Sequence, residues 1–352
     1  MNNEKTFVIL TPGFPSSETD TTCLPMQQYV VRVMREMYPD IKIIVLSFQY
    51  PYHKNTYDWF DVRVIPFSGK NKGGLPKLLV RKKIFTVLQE IYSKNKIIGL
   101  FSFWYNECAW IAKKFGDRHR IRHACWILGQ DARKENKYPE SLQPTASELL
   151  ALSEFIQDEF EKNHGVRPRF VIPPAIDPRE FDDNPPEKDV DILAAGSLIS
   201  LKRYDLFLEV VAEIRKQLPN VKAMLIGDGL ERMRLESMIE KLELRNNIIM
   251  TGELPHASVL KWMQRARIFL HPSSYEGFGV VCLEALYAAA HVISFCRPMK
   301  KEIVQWHIAK NKEEMISMAL EILQSQKKDH LSAAPFLMKD TVKAIGQIFN
   351  FH

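Results

Sequence analysis

The sequence predicts an α/β protein of two doubly wound, parallel-sheet domains that face a central cleft. Three observations carry that expectation. Short β-rich runs alternate with helically spaced segments along most of the chain, and repeated strand–loop–helix units of this length imply parallel sheets covered by helices. A Pro- and Asp-rich stretch, PPAIDPREFDDNPPEKD, splits the pattern in two. The polar and glycine-rich segments fall just after predicted strands, where open α/β sheets bind ligands.

In the first half, strands are expected at Lys5 to Leu10, Ile41 to Ser47, Val62 to Pro66, Ile97 to Phe103, His123 to Leu128, Glu148 to Ala151 and Arg169 to Ile172. Helical spacing covers Met26 to Met37, Leu75 to Ser93, Glu107 to Phe115 and a segment capped by Ser153 that runs to Asn163. After the linker, strands at Val190 to Ala195, Val221 to Ile226, Asn247 to Thr251, Ile268 to His271 and His291 to Phe295 alternate with helices at Lys202 to Lys216, Glu231 to Leu242 and Pro255 to Arg265. Helices at Glu313 to Gln324 and Lys339 to Phe349 close the chain. The expected domains are residues 1–172, a linker 173–188, residues 189–332, and a final segment 333–352 that crosses back to the first domain.

The 352 residues are 46% hydrophobic and 26% charged, which suits a soluble globular chain with room for two domains. The net charge of +6 permits an anionic ligand or an anionic membrane surface without requiring either. FVIL near the N-terminus is too short for a signal peptide, and the longest apolar window, Gly277 to Phe295, is broken by Glu284. Cysteines 23, 108, 125, 282 and 296 are scattered, with no CxxC pair. Reduced thiols and a cytoplasmic location are expected, with neither a disulfide framework nor a zinc site.

Four segments after strands of the second half attract polar chemistry. Gly196 leads to Lys202 and Arg203; Gly227 and Gly229 flank an aspartate; Gly252 and Leu254 lie in TGELP; and EGFGVVCLE runs from Glu276 to Glu284. Two carboxylates in an otherwise apolar stretch are costly unless something pairs with them, and a polar ligand is the expected partner. Gly277 and Gly279 precede a helix whose free N–H groups and dipole suit a phosphate. Lys202 and Arg203 supply cations to the same anion.

In order and spacing these motifs resemble the family 4 (group 1) retaining glycosyltransferases of the GT-B fold: G-x-L-x(3)-K, then LIGDG, TG-x-L and HPSSYEGFG, with seven residues between the two glutamates. The resemblance spans Asp191 to Phe295; the first half joins it only by architecture. It implies transfer of a sugar from a nucleotide-sugar to a hydroxyl acceptor with retention of configuration. Surface polysaccharide or lipid-linked glycan synthesis is the implied setting. Glu284 is then expected on the ribose, and Glu276 on the donor sugar. The backbone of Gly277, Phe278 and Gly279, with Val280 at the helix start, should hold the diphosphate. Lys202 neutralises the leaving group, so no metal or other cofactor is expected. Gly252 and Leu254 lie near the base. The loop after the first strand, with Gly13, borders donor and acceptor.

Two positions depart from the family pattern. Ser197 stands where an arginine often follows the first glycine, with Arg203 as a stand-in. Leu128 stands where a histidine often contacts the sugar, and Gln130 or Asp131 is expected to take over that contact.

Several features have plainer readings. Gly-Asp-Gly alone is usually a turn. The histidines, His256 and His271 among them, show no ligand spacing, and His271 reads as structural. The basic segment GKNKGGLPKLLVRKK reads first as solvated surface, with Leu78, Leu79, Ile84, Phe85, Leu88 and Ile91 as a core-facing stripe; peripheral contact with an anionic membrane is the second reading. Two functional alternatives stand beside the transferase. One is a GT-B-fold epimerase or phosphorylase; the other is a silent nucleotide-sugar-binding subunit.

Overall fold

The computed structural model describes residues 4–325 and 331–351, which divide into two compact units. Unit 1 comprises Met1–Pro174 and Met338–His352, and unit 2 comprises Ala175–Leu337.

Unit 1 is built on strands β1 (Lys5–Gly13), β2 (Lys42–Tyr50), β3 (Tyr57–Trp59), β4 (Val62–Pro66), β5 (Lys96–Phe103), β6 (His123–Ile127), β7 (Leu149–Ala151) and β8 (Phe170–Val171). They lie in the order β3-β4-β2-β1-β5-β6-β7-β8, all parallel except the β3–β4 pair. The helices are α1 (Pro25–Met37), α2 (Gly74–Lys94), α3 (Glu107–His119), α4 (Tyr138–Leu142) and α5 (Glu154–His164). The Ser153 hydroxyl accepts the N–H of Ile156 and so caps α5, as its position in the sequence predicts.

Unit 2 contains β9 (Val190–Ala195), α6 (Tyr204–Gln217), β10 (Ala223–Ile226), α7 (Arg232–Lys241), β11 (Ile248–Gly252), α8 (His256–Arg265), β12 (Ala266–His271), α9 (Val280–Tyr287), β13 (His291–Ser294), β14 (Trp306–Ile308) and α10 (Lys312–Gln324). Its parallel sheet has the order β11-β10-β9-β12-β13-β14. The chain builds outward from β9 on one side, then returns to start again at β12 on the other. The switch point of this doubly wound sheet therefore lies between β9 and β12, and ligands of such sheets bind outside the carboxyl ends of those strands. The central strands are buried on both faces, which explains their continuous apolar runs.

The last helix, α11 (Met338–Ile348), belongs to unit 1 and packs on α1. Beyond it, Phe349 and Phe351 meet Phe7 of β1 edge-on, with ring centroids 4.7 and 4.8 Å apart.

The short elements β3, β14 and α4 carry no pattern that the sequence reading detected. A further difference concerns α2. Ile84, Leu88 and Ile91 are buried against the sheet, but Leu78 and Leu79 are 58% and 54% exposed. At about 100° per residue they lie roughly 120–140° around the helix from Ile84, so one stripe cannot hold both sets. The inward face continues instead through Val80, which packs against that core.

Candidate active site

Within unit 2, the loops at the carboxyl ends of β9, β10, β11 and β12 are tied to one another by backbone hydrogen bonds. The Gly196 N–H donates to Ile226, Gly227 to Gly252, and Leu198 to Asp228, all at 2.9 Å. Ser274 donates to the Leu201 carbonyl at 3.0 Å, and the Ser273 and Ser274 hydroxyls reach the same oxygen. This last set fixes the loop after β12 against the loop after β9, across the switch point. The glycines serve this packing directly. At Gly227, φ is +142° and an added Cβ would sit 2.0 Å from the Gly196 carbonyl oxygen. At Gly229 an added Cβ would likewise meet the neighbouring loop, 2.6 Å from the Leu198 carbonyl oxygen.

Two carboxylates stand on this frame. Glu276 Oε1 is ion-paired with Lys202 Nζ and also takes hydrogen bonds from Ser273 Oγ at 2.9 Å and His271 Nε2 at 3.1 Å. Burial alone would raise the Glu276 pKa. The His271 hydrogen bond and charge, with the Lys202 ammonium, outweigh it and bring the pKa down to about 2. All three donors act on Oε1, so Oε2 has no protein partner among the described residues. Glu284, in the second turn of α9, lies 2.9 Å from Nε2 of His256, the first residue of α8. The Tyr204 hydroxyl, at the start of α6, is buried without a hydrogen-bond partner among the described residues. It borders the space above Gly196, 2.8 Å from where a Cβ would stand.

The structure brings Lys202, Gly196, Gly227, Gly229, Gly252, Glu276 and Glu284 into unit 2's switch-point region. Gly277 lies in the connection from Glu276 to α9, whose N-cap is Gly279 at φ +82° and whose first residue is Val280. Phe278 is buried, with its ring edge-on to Trp306 and Phe336, so its side chain is a packing group. Leu254 is half-buried in the short connection from β11 to α8.

Two expectations change. Arg203 adopts a left-handed conformation and pairs with Asp205 at 3.1 Å, so its guanidinium does not join Lys202. Asp131, in unit 1, is consumed by its own loop. Its carboxylate accepts the N–H groups of Tyr105, Gly129 and Leu128 at 2.7, 2.7 and 3.0 Å, which fixes the turn after β6 instead of presenting a free oxygen. Gly13 forms the end of β1 opposite Tyr50, with φ in the ordinary range, and the adjoining loop closes on Asp20. Sequence reasoning missed His256, His271 and Ser273. The last two lie at fixed offsets from Glu276, but His256 is 28 residues from Glu284 and nothing local announces the pairing.

Open doubly wound sheets bind their ligands at the switch point, and here that position carries paired, partly buried charges. Residues 176–331 match the family model of the glycosyl transferases group 1. The chain is 36% identical over 127 residues to the phosphatidylinositol N-acetylglucosaminyltransferase gpi3 subunit of Schizosaccharomyces pombe, across 35% of this chain and 28% of that protein. The chain thus spans under a third of the length of such relatives. Along nearly its whole length it shares the GT-B fold of the pneumococcal O-GlcNAc transferase GtfA, solved with UDP and GlcNAc. The TM-score is 0.68 at 14% identity, covering 99% of each chain. HepE of Anabaena, solved with UDP-glucose, gives 0.68 at 15% identity over 98% of this chain and 95% of its own.

Proposed function

We propose that the protein is a retaining glycosyltransferase that moves a sugar from a nucleoside-diphosphate sugar to a hydroxyl acceptor. The observation that carries this reading is the Lys202–Glu276 pair at the carboxyl ends of adjacent strands, with Glu284 one helix further on. Glu284 holds the ribose hydroxyls, and the Gly279 N-cap of α9 receives the diphosphate. Glu276 offers its open Oε2 to the donor sugar. As the bond from the anomeric carbon to the phosphate oxygen breaks, negative charge grows on the departing diphosphate, and the Lys202 ammonium stabilises it. The acceptor oxygen attacks the same face. Its proton passes to the leaving phosphate oxygen, so no strong protein base is needed. Lys202 supplies the charge without a divalent metal in this scheme. The acceptor belongs to a surface polysaccharide or lipid-linked glycan, on the cytoplasmic side of the membrane. Relatives named for N-acetylglucosamine transfer and neighbours solved with UDP make UDP-N-acetylglucosamine the first donor to try.

The test is a thermal-shift screen of nucleotide-sugars on the wild type and Glu284→Ala, followed by turnover assays without added metal. A stabilising donor whose effect disappears in Glu284→Ala, and which is consumed in the presence of an acceptor extract, supports the proposal. Donor binding with no turnover by acceptor or water leaves a silent binding subunit instead.

A further inference from the structure

A buried hydroxyl at the switch point of unit 2 lacks an acceptor. Tyr204, the first residue of α6, is 3% exposed, and its ring belongs to the core of the unit. Its Oη has no hydrogen-bond partner among the described residues. Such a group is destabilising, and buried polar side chains are rarely left this way. Its surroundings are those of the candidate site. An added Cβ at Gly196 would stand 2.8 Å from Tyr204 Oη and 4.0 Å from Lys202 Cε, and outside the flanking residues no other described atom comes within 4 Å of that point. Burial pushes the Tyr204 pKa up, and the nearby charges of Glu276 and of Cys282, in the first turn of α9, add to it. The hydroxyl therefore keeps its proton, and what the fold does not supply is an oxygen to receive it.

We propose that Tyr204 is a binding residue for the nucleotide donor, its hydroxyl donating to a diphosphate oxygen that rests against Gly196 beside Lys202. The inference rests on the transferase reading and adds to it a second donor on the leaving group. Gly196 leaves the room, because a side chain there would fill the space that Oη borders. The Lys202 chain beside the same point selects an anion over a neutral hydroxyl. Arg203 is turned to Asp205 and brings no charge here. The Glu276 oxygen that faces Lys202 is already held by His271 and Ser273 as well. A donor kept unpaired in the empty site is preorganised: no bond has to break before it meets the ligand, so the gain goes to binding. The charge on the diphosphate grows as the bond to the sugar breaks, and the same hydroxyl then serves the transition state more than the ground state.

The experiment is calorimetric titration of the full chain with UDP, GDP, ADP, CDP and TDP, and with inorganic phosphate, on wild type and Tyr204→Phe. Thermal unfolding of both proteins without ligand accompanies it. Phenylalanine keeps the ring and removes only the oxygen. Ligand-free Tyr204→Phe is expected to melt at or above the wild-type temperature, because the group removed had no partner. Its Kd for the nucleoside diphosphate that the wild type binds should rise about ten-fold or more, the effect of one hydrogen bond to a charged group. With the matching nucleotide-sugar, kcat should fall as well. Equal affinity of the two proteins for that nucleotide overturns the proposal and leaves the transferase reading standing. Wild type that binds none of these nucleotides, or inorganic phosphate alone, overturns both. A lower melting temperature of ligand-free Tyr204→Phe, whatever its affinity, overturns the proposal too, since the hydroxyl would then hold a buried water or another fixed partner.

Discussion

His256 Nε2 and Glu284 Oε1 lie 2.9 Å apart, each on a side chain only 14% exposed, so the carboxylate assigned to the ribose is held by a histidine from another helix. One oxygen is thereby occupied and the orientation of the second is set. Losing a hydrogen bond to a charged group costs about 1.5–3 kcal/mol. His256→Ala is therefore expected to raise the donor KM about ten-fold or more, with kcat changed much less, because the contact serves ground state and transition state alike. His256→Asn, which keeps a donor, should recover part of the loss. Steady-state kinetics on the two variants decide it; an equal fall in kcat and kcat/KM would place His256 in the chemical step.

The same pair predicts a pH dependence of stability. Burial lowers the His256 pKa, but the hydrogen bond and charge of Glu284, with the charge of Glu180, leave it above its ordinary 6.5. A histidine whose folded pKa is raised contributes stability that is full below 6.5 and is lost as pH rises through the folded value. Wild type should lose stability across that window relative to His256→Ala in denaturant titrations. Parallel pH profiles would show that the imidazole is not charged in the folded protein.

For Glu276 the sign is opposite. Its pKa falls from an ordinary 4.5 to about 2, a difference on the order of 3 kcal/mol. That stability is present above 4.5 and is lost as pH falls toward 2. The unfolding free energy of Glu276→Gln should therefore vary less with pH over this acid range than that of wild type. Lys202→Ala should keep the fold but lower kcat about 100-fold or more, since one aimed charge at a leaving group is worth that much. A kcat within a few-fold of wild type would remove Lys202 from the leaving-group role.

Much of this architecture could be read before any coordinates. Strands such as Val62–Pro66 and Val190–Ala195 are short apolar runs bounded by turn residues, and their limits match the structure. The glutamates, Lys202 and the glycine turns announced themselves because each is out of place in its local pattern. What stayed hidden depends on tertiary pairing. Asp131 looks like a free acid in sequence, and only the fold shows three N–H groups converging on it. His256 looks like one more helix-start residue until α8 meets α9. Leu78 and Leu79 read as core in sequence and are exposed in the fold, because an apolar residue in a helical pattern carries no mark of which side faces water.

Gly227 tests the loop packing beneath the site. An alanine there places Cβ 2.0 Å from the Gly196 carbonyl oxygen, at a φ of +142° that side chains disfavour. Neither the clash nor the strain is relieved by a rotamer change, because both partners are backbone. Gly227→Ala should cost about 3 kcal/mol or more and unfold unit 2 at lower denaturant. Gly73→Ala, with nothing within 4 Å of the added methyl, is the matched control and should be near neutral. Equal midpoints for the two would refute this account of the turn.

The return of the chain onto unit 1 allows a sharper test, because two residues far apart in sequence share one space. Gly99 of β5 leaves room for the Phe349 ring, and a Cβ there would stand 2.4 Å from Cδ1 of that ring. Phe349→Ala should cost about 3–5 kcal/mol through the cavity it leaves beside Phe7. Gly99→Ala should cost about 1–3 kcal/mol by overpacking the same spot. In the double variant the new methyl enters the space the ring has left, so the second substitution should cost little once the first is made. Denaturant unfolding of the four proteins gives the coupling energy directly. A double variant destabilised by the full sum of the two would mean that Phe349 does not occupy this place in solution, and that the last helix leaves β5 uncovered.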